Sequence, residues 1–215
     1  MERLKDLVAI LYRPRETMRR ILDRPDRWAV AVVFLAFVCA SVDDIDVRRA
    51  GTILSDITIP SMIALVTIGI VAGALAWVIA LYILSWIATP VGRMMGGTGT
   101  FADVRAALAW AMVPIIWSVL YRLPIVILAE RMHIGPEINA RQVLMDFIAR
   151  GGCSVIVIYF GLQLLFALWC VALASFTVAE AQHLSPQKGF VNVAVTIALP
   201  LMVMFAAVFT LRKIT

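Results

Sequence analysis

The sequence has few charged residues for a chain of 215. Asp, Glu, Lys and Arg make up only 15% of it, whereas a typical soluble domain has about 25%. Hydrophobic residues make up 62%, above the roughly 45–50% of soluble proteins. Because so little polar surface could not cover a soluble core, the composition excludes an ordinary soluble domain. It predicts an integral membrane protein.

Metal-binding and catalytic patterns are missing as well. The three cysteines, Cys39, Cys153 and Cys170, lie in or beside apolar segments without the spacing of a metal site or a disulfide framework. His133 and His183 fall in loops predicted on opposite sides of the membrane, so they cannot share a metal ion. Neither HExxH nor GxSxG occurs. We therefore expect no catalytic residue, no metal and no cofactor. Since the basic residues flank apolar segments, we also expect no nucleic-acid partner.

Five apolar segments approach the length of about 20 residues that a spanning helix needs. The first is short, and it spans only if its helix begins at Pro25 and runs on toward Val47; otherwise it is half-inserted. Ser185 and Pro186 supply a cap and a first turn for the last segment. We predict an all-α integral membrane bundle of five transmembrane helices, at about residues 28–47, 59–88, 101–121, 155–179 and 190–211.

The segment 1–27 precedes this membrane domain of residues 28–215 and is predicted to lie on the membrane surface. Apolar residues recur there at helical spacing among charges, at Leu4, Leu7, Val8 and Leu11. Pro14 then opens a second short helix, which ends near Pro25 and has Met18, Ile21 and Leu22 on one face. A similar surface helix is predicted from Val143, Leu144, Phe147 and Ile148.

The N-terminal tail is also rich in arginine and lysine. The positive-inside rule therefore favours a cytoplasmic N-terminus. An odd number of spans then places the C-terminus outside. We expect the membrane to be a bacterial inner membrane, and we expect membrane lipids as partners.

A glycine-rich turn precedes the third span. The backbone is free to reverse at three positions, Gly96, Gly97 and Gly99. Thr100 is placed to cap the following helix, with Asp103 at the capping-box spacing, and Pro114 should kink that helix, as Pro200 should kink the last one. We interpret the segment as a tight turn between two spans. An anion or partner site at the positive end of the helix is the alternative.

Gly69 and Gly73 form a GxxxG pattern in the second span, extended by Ala76 and Ala80 on nearly the same stripe. Small residues let another helix approach closely. The pattern is consistent either with packing inside the monomer or with a self-association face.

Three polar residues stand out beside the apolar runs. If the third helix ends near Tyr121, as Pro124 favours, Arg122 extends to the outer headgroups; if it continues to Leu128, Arg122 lies in the membrane and needs a partner. Gln163 is predicted to make an interhelical hydrogen bond in the fourth span. Glu180 ends that span on the side opposite Arg122, so the two should not pair.

Three segments together resemble the Yip family, the Ypt/Rab-interacting membrane proteins. They are RPRETMRRILDRP at residues 13–25, GGTGTF followed by ALAWAMVP at residues 96–114, and AEAQHLSPQKGF at residues 179–190. The resemblance extends over nearly the whole chain. It implies a five-span helical domain of the bacterial type, with a cytosolic N-terminus and no catalytic residues.

Eukaryotic members of that family are associated with small GTPases and with membrane organisation. They have a longer N-terminal region with an Asp-Leu-Tyr-Gly segment, which is not found in this sequence. We therefore expect no small-GTPase partner. The leading hypothesis is a non-enzymatic scaffold that contacts itself or other membrane proteins through Gly69 and Gly73. The alternative is a small transporter or pore subunit, in which Arg122 and Gln163 would line a path.

Overall fold

The computed structural model describes residues 2–24, 28–41, 59–131 and 152–212. The regular secondary structure of these residues is all helical, which confirms the all-α prediction. The helices are α1 (Glu2–Tyr12), α2 (Pro14–Leu22), α3 (Ala29–Ala40), α4 (Ile59–Met94), α5 (Phe101–Trp110), α6 (Val113–Arg131), α7 (Gly152–Ala181) and α8 (Pro186–Arg212).

Within the described residues, four stretches are long and apolar enough to cross a membrane, by length and composition: 67–94, 101–124, 157–181 and 186–210. The second of them, made by α5 and α6, is the centre of the bundle. About 56% of its most apolar window is buried, against 11 or 12% in the other three. The outer helices consequently present wide apolar surfaces, as membrane helices do toward lipid.

The first predicted span is shorter than expected. Its helix α3 begins after Trp28 and ends at Ala40, where Ser41 is the C-cap residue. Twelve residues extend about 18 Å, less than the roughly 30 Å of a hydrocarbon core. The structure therefore shows four candidate spans and a shorter apolar helix, and a fifth crossing stays a prediction.

The other predicted bounds also differ in detail. Helix α4 continues past residue 88 to Met94, with Pro90 inside it, and the third span breaks in two at Ala111 and Met112. Pro114 lies in the first turn of α6, where its missing N–H is tolerated. Helix α8 begins at Pro186, as the cap signal predicts. The predicted surface helix around residues 143–148 lies outside the described residues.

Helices α1 and α2 form a hairpin that is tied by charge. Asp6 is only 2% exposed, and Arg24 Nη1 donates to its carboxylate at 2.7 Å. The hairpin packs on the bundle through Ile10, Met18 and Ile21, all nearly inaccessible to solvent. Leu4 and Val8, one turn apart on α1, are exposed instead. Both predicted N-terminal helices are thus present, and α1 directs part of its apolar face outward.

The glycine turn closes α4 with a Schellman motif. Gly96 has a φ of +91°, in the region where glycine has no steric penalty. The N–H of Gly97 donates to Gly92 O at 2.8 Å, and the N–H of Gly96 donates to Arg93 O at 3.0 Å. Thr100 and Asp103 then form the predicted capping box at the start of α5.

Candidate functional site

The three segments that carry the family resemblance meet at one end of the bundle. We call this region the polar junction and define it by Arg15, Arg19, Glu180, Gln182, Asn192 and the glycine turn at residues 96–99. Helix α2, the end of α4, the start of α5, the end of α7 and the start of α8 all contribute to it.

A charge cluster fixes α2 to the end of α7. Arg15 and Arg19 lie one turn apart, so they share a face of α2. Arg15 Nε donates to Glu180 Oε2 at 2.9 Å, and Arg19 donates to Glu180 Oε1 from Nε at 2.9 Å and from Nη2 at 2.7 Å. The Glu180 side chain is only 6% exposed, whereas the arginines are 46% and 71% exposed. A nearly buried carboxylate therefore has both oxygens paired with cations of α2.

A neutral amide network joins α4, α7 and α8 beneath this cluster. Asn192 Nδ2 donates to Gln182 Oε1 at 2.7 Å and to Ala88 O at 3.0 Å. Gln182 Nε2 reaches the same carbonyl at 3.2 Å, and Thr196 Oγ1 donates to Asn192 Oδ1 at 3.2 Å. The three side chains are at most 2% exposed. Because buried amides must be hydrogen-bonded to avoid a large cost, the network fixes how the three helices meet.

The backbone of the glycine turn packs closely against the end of α7. A Cβ added to Gly92 would overlap the Gln182 amide, and one added to Gly99 would overlap the carbonyl of Ala181. The N–H of Thr98 donates to Gln182 O at 3.1 Å. Lys188 Nζ bonds to Met95 O at 2.8 Å from the start of α8. The turn is thus a packed connection whose shape depends on small residues.

A match to a protein-family model covers all three of the segments that meet at the polar junction. The family model described as the Yip1 domain matches residues 8–208, nearly the whole chain and all three segments of the polar junction. The chain belongs to the Yip1 domain family. No curated protein and no solved structure matches it.

Arg122 lies at a different place in this Yip1 domain. Helix α6 does not end near Tyr121 but continues through Pro124 to Arg131, so the predicted helix end is wrong, and the depth of Arg122 in the membrane stays a prediction. Arg122 is 8% exposed, and its Nη1 donates to Ala40 O at 2.7 Å, at the C-terminus of α3. A guanidinium there satisfies a carbonyl that the helix itself leaves free. Arg122 and Glu180 therefore serve different contacts.

Gln163 is exposed on α7 and makes no hydrogen bond with a described residue of the Yip1 domain. The predicted interhelical hydrogen bond of Gln163 therefore stays a prediction. Arg122, by contrast, is buried against α3. These two positions lend no support to a shared transport path. Among the described residues, no group of three His, Cys, Asp or Glu side chains is placed to hold a metal.

The small residues of α4 that form the predicted stripe have different surroundings in the structure. A Cβ added to Gly73 would overlap the ring of Phe37 on α3, whereas no atom of the described residues lies within 4 Å of one added to Gly69. Ala76 and Ala80 are exposed. Gly73 is therefore occupied by packing within the chain, and self-association stays a prediction for Gly69, Ala76 and Ala80.

Sequence reasoning singled out Glu180 and the glycine turn but missed Gln182, Asn192 and Gly92. One signal for the two polar residues was present, since both flank the short loop before the last span and are amides in an apolar context. The pairing of Glu180 with α2 had no local signal, because 161 and 165 residues separate it from the two arginines.

Proposed function

We propose that this protein is a non-enzymatic, membrane-organising scaffold of a bacterial inner membrane, with its N-terminus in the cytoplasm. Helices α1 and α2 would form a platform on the membrane surface, and the bundle would hold that platform at a fixed position. Partners would be lipids and other membrane proteins. The abundance of basic residues in the N-terminal tail supports the cytoplasmic side.

The observation that carries this proposal is the engagement of Glu180 by Arg15 and Arg19. An amphipathic hairpin bound only by apolar contacts could leave the bundle and insert elsewhere in the interface. Release of the hairpin would leave the nearly buried Glu180 carboxylate without both of its partners, and the loss of those partners makes release costly. The hairpin is consequently positioned as a rigid part of the membrane domain, which suits a docking surface.

The outward side of the hairpin supports a role at the interface. Leu4, Val8 and Tyr12 follow one another at four-residue spacing and are 69%, 44% and 66% exposed. Such a stripe can enter the boundary between headgroups and acyl chains. The basic residues of α2 would then face the anionic surface.

The proposal is tested by reconstituting the purified full-length chain in vesicles and by recovering it from native membranes in a lipid-retaining polymer. Wild-type protein should change vesicle size and shape, and it should retain a reproducible set of membrane proteins. Glu180→Ala should weaken both effects, whereas Glu16→Ala, an exposed acid on α2, should not. Wild-type protein with neither effect would refute the scaffold role.

A further inference from the structure

A groove of about 470 Å³ lies between the α1–α2 connection and α7. This volume falls within the roughly 300–1,000 Å³ of small-molecule sites. Its floor is apolar and includes Trp169, Leu173 and Phe176 on α7, while Arg13 and Arg15 lie at the α2 side. The groove therefore combines a cationic rim with a hydrocarbon-like wall.

The groove follows the axis of a membrane-spanning helix. Phe176 is four residues before Glu180 on α7, and Trp169 is eleven residues before it. At 1.5 Å per residue the wall descends about 16 Å along the helix from the level of the polar junction. With α1 and α2 at the membrane surface, as proposed above, the cationic rim would lie among the headgroups and the far end among the acyl chains.

Arg13 is the cation at this rim that is free to take a new partner. Arg15 is engaged by Glu180 at 2.9 Å. Among the described residues, Arg13 has two weak contacts. Glu16 lies 3.7 Å away, in a pair whose side chains are 66% and 62% exposed, and the centre of the Tyr12 ring lies 6.0 Å from the guanidinium carbon. Exposed pairs of this kind contribute little to stability, so an incoming phosphate can replace the carboxylate of Glu16 at small cost.

We propose that the groove binds one anionic phospholipid, with its phosphate at Arg13 and one acyl chain along Trp169, Leu173 and Phe176. The inference rests on the placement of α1 and α2 at the membrane surface in the proposed function. Arginine suits a phosphate because its planar fork donates two parallel hydrogen bonds. The amphipathic shape of the groove selects a lipid over a free anion.

The test uses the full-length chain in detergent and native mass spectrometry to count retained lipids. The probes are phosphatidylglycerol, phosphatidylcholine with the same acyl chains, and glycerol phosphate as a headgroup without chains. Wild-type protein should retain one phosphatidylglycerol, at least about tenfold more tightly than phosphatidylcholine, because the net negative charge is attracted to the rim. Glycerol phosphate should not displace it.

Two variants should weaken this binding and one should strengthen it. Arg13→Glu should reduce affinity by about tenfold or more, since it replaces an attraction by a repulsion. Ala172→Trp should fill the groove, which Ala172 lines, and remove binding. Glu16→Gln should increase affinity several-fold by freeing Arg13.

The matched controls lie away from the groove. Arg93→Glu makes the same charge change at the end of α4, on the same side of the bundle. Ala167→Trp adds the same side chain at an exposed position of α7 that does not line the groove. Both should bind phosphatidylglycerol as the wild type does.

The proposal is overturned if the two phospholipids bind equally, if Ala172→Trp has no effect, or if glycerol phosphate competes. Hydrogen exchange of α2 in each variant shows whether its helix is intact. Loss of lipid selectivity with normal vesicle and partner effects would defeat this inference alone. Loss of those effects with selectivity intact would defeat the scaffold role alone.

Discussion

Gly92 of α4 and the Gln182 side chain after α7 occupy adjoining space, so that a methyl group at Gly92 would overlap the amide. We expect Gly92→Ala to destabilise the protein by about 1–3 kcal/mol, because the amide must leave its bonds to Ala88 and Asn192. Thermal unfolding in detergent measures this. Gly69→Ala, with open space around it, is the control and should be neutral or stabilising by up to about 1 kcal/mol. Equal effects of the two variants would contradict the close packing.

Asn192→Leu should destabilise the protein by about 1–3 kcal/mol, because it leaves Gln182 Oε1 without its 2.7 Å donor in a buried site. Thr196→Val should destabilise the protein less. Thr196 makes one hydrogen bond in this network, to Asn192 Oδ1, whereas Asn192 makes three. The same unfolding measurement compares them. A larger loss for Thr196→Val would show that the network is not organised around Asn192.

Substitutions of Arg15 and Arg19, the two arginines that bind Glu180, should have non-additive effects on the free energy of unfolding. Either Arg15→Ala or Arg19→Ala leaves the carboxylate one cation, so each should cost under about 1 kcal/mol. The double variant leaves a buried carboxylate unpaired and should cost up to about 3 kcal/mol. A double-mutant cycle of unfolding free energies measures the difference. Strict additivity would mean that the two cations are not alternatives for one buried charge.

Replacement of His183 by glycine should stabilise the protein. It has a φ of +55° and occupies the left-handed position of a second Schellman motif, with Leu184 N–H donating to Ala179 O at 2.8 Å. Because the imidazole is exposed, His183→Gly should stabilise the protein by about 0.5 kcal/mol after the entropy cost of glycine. Gly96→Ala should be the opposite case and destabilise by about 1 kcal/mol. Destabilisation by His183→Gly would reveal a contact of the ring.

Local patterns predicted the local structure. The apolar runs indicated the long helices, Pro14 and Pro186 marked helix starts, and Thr100 with Asp103 marked a capping box; the structure has each of these. Their signals lie within a few residues of one another, so sequence alone suffices. The end of α6 was harder to place, because Pro124 can also be accommodated within a membrane helix.

The long-range contacts could not be predicted from the sequence. Glu180 has the same appearance whether it ends a span in water or receives two arginines from another helix. Gly73 differs from Gly69 only through Phe37, which lies on a separate helix. The second Schellman motif has histidine where glycine is usual, which removes the usual signal. Which end of the bundle forms the site therefore required the assembled fold.

The most direct test of the central claim is hydrogen–deuterium exchange of α2 in lipid nanodiscs, in the wild type and in Glu180→Ala. If Glu180 holds the hairpin on the bundle, the amides of residues 18–22 should exchange slowly in the wild type and at least about tenfold faster in the variant. Glu16→Ala should match the wild type. Equal exchange in the wild type and Glu180→Ala would contradict the account.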